Sequence, residues 1–232
     1  NVSGNNSPVF SELYQVRSHL VGPDNNEFSA KKFIPILKQH DLLKRYDRWM
    51  IRYCIKALSE MQLSDDQKIG IFIPLSDYSF TDNKLTDWMD KALALAGSLE
   101  LATSLIFEFN AGRFLEKARA TKLQINKLRI KQGSAIALSG IEDPSTLEKC
   151  LSQEKFDFII FSPVYAGENG MDHGTLQEIA ALCQRYKTLS VASKISTGES
   201  LASSASAGID YVLGHFVQPP MEKIIPTEQV EM

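Results

Sequence analysis

From residue 69 onward, short apolar runs alternate with helical patterns, and this alternation constrains the fold more than any other feature of the chain. "IGIFIPL", "SLIFEF", "AIAL", "FDFIIF", "LSVAS" and "IDYVLG" are nearly continuous in apolar residues, as strands buried on both faces are. Between them lie "LTDWMDKALALAG", ended by Gly97; "FLEKARATKLQINKLRIKQG", read as one long helix stopped by Gly133; "PSTLEKCLSQ", begun by a proline in its first turn; "TLQEIAALCQRYK"; and "TGESLASSASAG". Strand following helix following strand requires crossover connections, so the sheet is parallel and helices cover it. With an opening strand at "LYQVRSHL" the sequence offers seven strands and room for an eighth, which favours a (β/α)8 barrel over an open doubly wound sheet.

Ahead of the repeat, "SAKKFIPILKQHDLLKRYDRWMIRYCIKALSEM" predicts two helical stretches. Ser29 is placed to cap the first, and Pro35 lies far enough inside to break or kink it. In the second, Tyr46, Trp49, Met50, Tyr53, Cys54 and Ala57 recur at helical spacing and predict a buried stripe. "KARATKLQINKLRIK" reads as a solvated basic face.

A chain of 232 residues, 44% hydrophobic, is enough for one well-buried domain. Lysine and arginine number 25 against 28 acidic residues, so no basic surplus points to nucleic acid or to an anionic membrane. Cys54, Cys150 and Cys183 are an odd count without a C-x-x-C pair, which predicts reduced core cysteines in a cytoplasmic domain. No apolar run reaches ~18 residues, so direct membrane insertion is not expected. The polar opening "NVSGNNSP" reads as a linker remnant over residues 1–8, with a barrel domain over 9–232 forming the C-terminal part of a longer multidomain protein.

Ligands of such barrels sit at the C-terminal ends of the strands. Here those positions are His19, Pro74, Ser76, Glu108, Asn110, Ser139, Gly140, Ser162, Ser193, Gly214 and His215, with Lys194 close behind. In "LYQVRSHL", strand alternation puts Gln15, Arg17 and His19 on one face, either a solvated edge or the lining of a pocket. Glu108 is the only carboxylate in the set. Phosphodiester hydrolysis by a metal pair needs several carboxylates converging from different strands, and one glutamate cannot supply them. The four histidines show no H-E-x-x-H spacing, and no G-x-S-x-G elbow is present. "AGENGMDHG" lacks the G-K-[ST] ending of a phosphate loop and reads as a flexible connection. No catalytic residue, metal or cofactor is expected.

The order of these strand ends resembles the EAL domains, the family that hydrolyses the bacterial second messenger cyclic di-GMP. "FIP" at 33–35, "DRW" at 47–49 and "GIDYVLGHF" at 208–216, followed by Pro219 or Pro220, are similar to the family's F-I-P, D-x-W and G-x-D-Y-x-Q-G-Y segments. The resemblance implies that the family's leading glutamate falls at Gln15 and its phosphate-binding arginine at His19. On the same basis an asparagine ligand falls at Pro74, paired aspartates at Ser139 and Gly140, and a lysine and an aspartate at Ile160 and Ser162. Glutamates of the family fall at Ala111, Ser193 and Ser196, and Glu108 alone survives. It therefore implies an α/β, TIM-like (β/α)8 barrel of EAL type, with the first strand free to run antiparallel to the rest.

By the same resemblance the chain is a catalytically inactive EAL domain similar to those of FimX-type and LapD-type proteins. Such a module would act as a regulatory cyclic di-GMP receptor in bacterial motility, type IV pili or biofilm control. Its ligand would meet Gln15, Arg17, His19, Glu108, Ser139 and Ser193, with Phe33 and Pro35 as apolar walls. A PilZ-type or other signalling protein is the implied partner, and dimerisation through the barrel face the implied assembly. The alternative is a scaffold for protein interactions that has lost the nucleotide, with Arg17 paired to Glu108 and the serines hydrogen-bonded inside a dry barrel.

Overall fold

The computed structural model describes residues 10–61, 67–162 and 172–224. The chain begins with β1 (Glu12–Gln15), β2 (His19–Val21), β3 (Glu27–Ser29), α1 (Ala30–Gln39) and α2 (Leu43–Ser59). The repeat follows as β4 (Ile69–Pro74), α3 (Leu85–Leu95), β5 (Leu105–Asn110), α4 (Ala111–Glu116), α5 (Ala118–Gln132), β6 (Ala135–Ile141) and α6 (Pro144–Leu151). It closes with β7 (Phe158–Phe161), α7 (His173–Tyr186), β8 (Leu189–Ala192), α8 (Gly198–Ser206) and β9 (Tyr211–Val212). The residues 1–8 read as a linker, and most of "AGENGMDHG", lie outside the described residues.

Seven strands form one sheet in the order β1-β4-β5-β6-β7-β8-β9. Every pairing is parallel, β1 included, with Leu13 opposite Gly70 and Gln15 opposite Phe72. An antiparallel first strand is thereby corrected: the crossover through α1 and α2 returns the chain to the sheet in the same direction. Alternate residues of each strand divide between two cores. Ile71, Phe107, Leu138 and Ile159 face the helices, whereas Phe72, Ile106, Ala137, Phe158 and Val191 face inward. Leu13 of β1 and Tyr211 of β9 pack into that same inner cluster, so the sheet is curled into a barrel. Rings fill its interior, with Phe72 edge-on to Phe158 at 5.2 Å and Phe10 at 6.0 Å from Phe158. A methyl group on Gly70 would lie 2.7 Å from the Leu13 side chain and 2.8 Å from that of Ile106, so a larger residue here would force both to shift.

The opening strand is shorter than its alternation suggests. Val16 still donates to the Phe72 carbonyl at 3.1 Å, but the next rung would need an N–H from Pro74, which has none. The ladder stops there. His19–Val21 pairs instead with Glu27–Ser29 as a separate antiparallel hairpin, turned through Asn25 at φ 57°. Arg17 and His19 therefore do not continue the inner face begun by Gln15.

Two further expectations need revision. The stripe on α2 is not wholly buried: Met50 and Cys54 are, but Trp49 is 55% and Tyr53 48% exposed. The line that packs on the sheet runs through Leu43, Asp47, Met50, Ile51, Cys54, Ile55 and Leu58, and the aromatic rings lie about a quarter turn round the helix. The long helix after β5 is two, broken at Lys117, where the backbone leaves helical angles (φ −128°, ψ 32°). Other signals fall where expected. Gly133 ends α5 in the left-handed region at φ 67°, and Pro144 opens α6, whose Asp143 cap accepts from the Thr146 N–H. Ser29 occupies the first cap without its side chain bonding, and α1 runs on through Pro35. All three cysteines are buried and unpaired. Among the described residues no helix is long and apolar enough to cross a membrane.

Candidate functional site

At the C-terminal ends of the strands the inward positions change from apolar to polar. Two residues beyond the inner cluster, Gln15 follows Leu13, Glu108 follows Ile106, Ser139 follows Ala137, Ser162 follows Ile160 and Ser193 follows Val191, while Pro74 follows Phe72. This polar rim over an aromatic floor is the candidate ligand mouth.

Its centre is a hydrogen-bonded relay. Gln15 donates through Nε2 to Glu108 Oε2 at 3.1 Å, and Arg17 donates through Nη2 to Gln15 Oε1 at 3.1 Å. Arg17 thus reaches Glu108 through Gln15, and no direct Arg17–Glu108 ion pair is present among the described residues. Arg17 is exposed, so its guanidinium can still meet an anion from solvent. His19 stands apart on the hairpin, exposed, with Nε2 3.9 Å from Glu27. Ser193 is only 6% exposed and its hydroxyl donates to the Phe161 carbonyl at 2.9 Å, tying β8 to β7. Ser139 is half-buried at the end of β6. Phe33 is buried in α1, edge-on to Tyr46 at 5.9 Å, and Pro35 is exposed on the same helix. The structure therefore brings Gln15, Arg17, Glu108, Ser139 and Ser193 to one end of the barrel and sets His19 on the hairpin outside the sheet.

One residue that frames the mouth, Asp47, was not among the sequence candidates. Asp47, 1% exposed on α2, accepts at Oδ2 from the Ser76 N–H at 3.0 Å and from the Ser76 and Ser79 hydroxyls, each at 2.6 Å. It pins the loop that leaves β4. Burial pushes its carboxyl above the usual range, and the three donors only partly oppose that shift. Serines spaced three apart after a strand, "SDYS", were the available signal, but nothing local pairs them with an aspartate on another element. Asn110 caps α4 by accepting from the Arg113 N–H at 3.2 Å. Its Nδ2 lies 2.3 Å from where a Cβ on Gly140 would stand, and Gly140 adopts φ 72°. A side chain at position 140 is opposed by both sterics and backbone.

A divalent pair of the kind phosphodiesterases use needs converging carboxylates. Glu108 is the one carboxylate among these inward strand ends. Among the described residues no three His, Cys, Asp or Glu side chains group as ligands would. The described residues do not fit such a centre.

The sequence profile of the EAL domain matches residues 11–220. The chain belongs to the EAL domain family. Solved EAL domains share its fold. The FimX EAL domain of Xanthomonas citri, in complex with c-di-GMP, is 22% identical with a TM-score of 0.78, covering 91% of this chain and 83% of its own. The FimX EAL domain of Pseudomonas aeruginosa, bound to c-di-GMP, is 23% identical with a TM-score of 0.76, covering 93% and 85%. The c-di-GMP-bound S helix-GGDEF-EAL portion of Vibrio cholerae LapD is 19% identical with a TM-score of 0.73; the match covers 88% of this EAL chain and 49% of that one. At these identities the likeness is one of fold. No curated protein matches the sequence.

Proposed function

We propose that this EAL domain is a regulatory receptor module for cyclic di-GMP that has lost phosphodiesterase chemistry. The observation that carries the reading is the rim itself: a hydrogen-bonded Arg17–Gln15–Glu108 relay and neutral side chains where a metal pair would need carboxylates. Removing ligands removes chemistry without removing the mouth. Arg17 and the Gln15 amide supply donors of the kind that bind phosphate oxygens, and Ser139 offers a hydroxyl beside them. The solved FimX EAL domains and the LapD S helix-GGDEF-EAL portion hold c-di-GMP, which supports the ligand class. A phosphodiester ligand placed here would be gripped by charge-assisted bonds from Arg17 rather than by metal. His19 would contribute only if the hairpin swung over the mouth.

Isothermal titration with cyclic di-GMP tests the reading. Saturable binding at micromolar or tighter affinity, weakened about tenfold or more by Arg17→Ala, is expected. No turnover of the nucleotide should be detectable in magnesium or manganese above a Glu108→Ala control. Silence at high nucleotide concentration would favour the second reading, an interaction scaffold. That reading has its own observation: the Gln15 amide, the Glu108 carboxylate and the Ser193 hydroxyl are already hydrogen-bonded within the protein.

A further inference from the structure

We propose that the outer face of α2, with the groove between α2 and α3, docks an acidic segment of a partner protein that carries apolar anchor residues. The surface lies on the outside of the barrel, and the inference does not depend on nucleotide binding.

Charge supplies the first argument. Helix α2 carries Lys44, Arg45, Arg48, Arg52 and Lys56 against one carboxylate, Asp47, which is buried and turned to the serines of the mouth. The chain as a whole has a formal net charge of −3, so this helix opposes the sign of the molecule. Arg48 is engaged by Asp82 at 2.8 Å. Arg45 and Arg52 have no carboxylate partner among the described residues. Lys56 meets Glu60 at 3.6 Å, an exposed pair of the kind worth little, which an incoming carboxylate would readily replace.

The second argument is the aromatic surface set among these charges. Trp49 lies one helical turn from Arg45, Arg52 and Tyr53 and two turns from Lys56. Its ring stacks on Tyr46 at 6.1 Å and lies 6.0 Å from Tyr53, so the half-buried Tyr46 and the exposed Trp49 and Tyr53 form a continuous ladder. Beside it lies an open groove of about 400 Å³. Arg52, Ile55, Trp88, Ala92 and Leu95 line it, and Leu95 is 90% exposed. The guanidiniums of Arg48 and Arg52 each lie 5.6 Å from the Trp88 ring centroid, which holds that ring half-buried at the wall. Tryptophan, tyrosine and arginine around a desolvatable pocket are the composition of interface hot spots.

The recessed Trp88 decides between classes of partner. A bilayer meets convex apolar groups at a plane and cannot reach into a groove. A peptide side chain can enter it while neighbouring carboxylates meet Arg45, Arg52 and Lys91 on the rim. A helix or strand alternating acidic and large apolar residues satisfies both features together.

The chain's only two tryptophans, Trp49 and Trp88, both lie on this surface, so intrinsic fluorescence reports its occupancy. The probe is a synthetic peptide of Asp and Glu interrupted by Leu and Phe at helical spacing, titrated into the whole chain. A saturable change in tryptophan emission, weakened by salt and by about tenfold or more in Arg45→Glu/Arg52→Glu, supports the proposal. Should that double variant melt differently from the parent, Trp49→Ala, an exposed truncation, provides the same comparison with Trp88 as reporter. Equal affinity for a peptide of Asp and Glu alone overturns the apolar anchor. Binding to phosphatidylcholine–phosphatidylserine vesicles in place of the peptide overturns the choice of partner. No response to the amphipathic peptide overturns the proposal altogether.

Discussion

Replacing Asp47 with alanine would take one oxygen acceptor away from three donors that meet at it. The consequence differs for each donor. The Ser76 hydroxyl is half-buried and can turn to water, so its loss matters little. The Ser79 hydroxyl is buried and the Ser76 N–H is fixed by the backbone, and orphaning such groups costs about 1–3 kcal/mol each. Against this, removing a buried carboxylate relieves its desolvation. The balance is a net loss of about 2–4 kcal/mol, or a fall in Tm of roughly 5–15 °C for a domain of this size. Differential scanning calorimetry measures it directly.

Asp47→Asn then separates the two opposing effects. Burial holds the folded-state pKa of Asp47 above its unfolded value of 3.8. The folded protein therefore binds this proton more tightly. The contribution is fully present below the unfolded pKa and is lost as pH rises through the folded one. Asparagine has no such dependence, so the stability gap between wild type and Asp47→Asn should narrow from acid toward neutral pH. A gap that widens with pH would mean that the three donors outweigh burial, and would refute the reasoning.

Gln15→Glu would set a second carboxylate at the position from which the Gln15 amide now donates to Glu108 at 3.1 Å. Like charges raise one of the two pKa values, so the variant should match wild type near pH 4 and lose about 1–3 kcal/mol by pH 7; a pH-independent melting difference would refute the pairing. Gly140→Asp should destabilise by about 1–3 kcal/mol, since it must adopt φ 72° and displace the Asn110 cap. If the same substitution instead raised Tm on addition of magnesium or manganese, the misfit of the mouth to a metal centre would be refuted. Burial pushes the thiols of Cys54 and Cys183 up to about 12 and of Cys150 to about 11. Iodoacetamide at pH 8 should leave all three unmodified in the native protein and label them after denaturation, as read by mass spectrometry.

Much of the fold is written in local pattern. The runs "IGIFIPL" and "FDFIIF" are apolar on both faces because one face packs inside the barrel and the other under helices, and that reads directly as a parallel sheet. Gly133 and Pro144 mark helix ends through their own backbone chemistry. The aromatic positions of α2 misled because helical spacing shows which residues share a side, while the width of the covering sheet decides which of them lose water.

The sequence alone therefore determined the alternation of strand and helix from β4 onward, the parallel sheet, the buried thiols and the scarcity of carboxylates at the strand ends. Each depends on residue type or on neighbours close in the chain. Tertiary structure decided the rest. Pro74, on β4, ended the ladder of β1 and put His19 on a hairpin outside the sheet. Asp47 found its serines across two elements, Asn110 filled the space above Gly140, and Trp49 was left in solvent between two arginines. These outcomes depend on atoms distant in sequence meeting at van der Waals range, where a proline without its N–H or a glycine without its Cβ acts on a partner that no local pattern names.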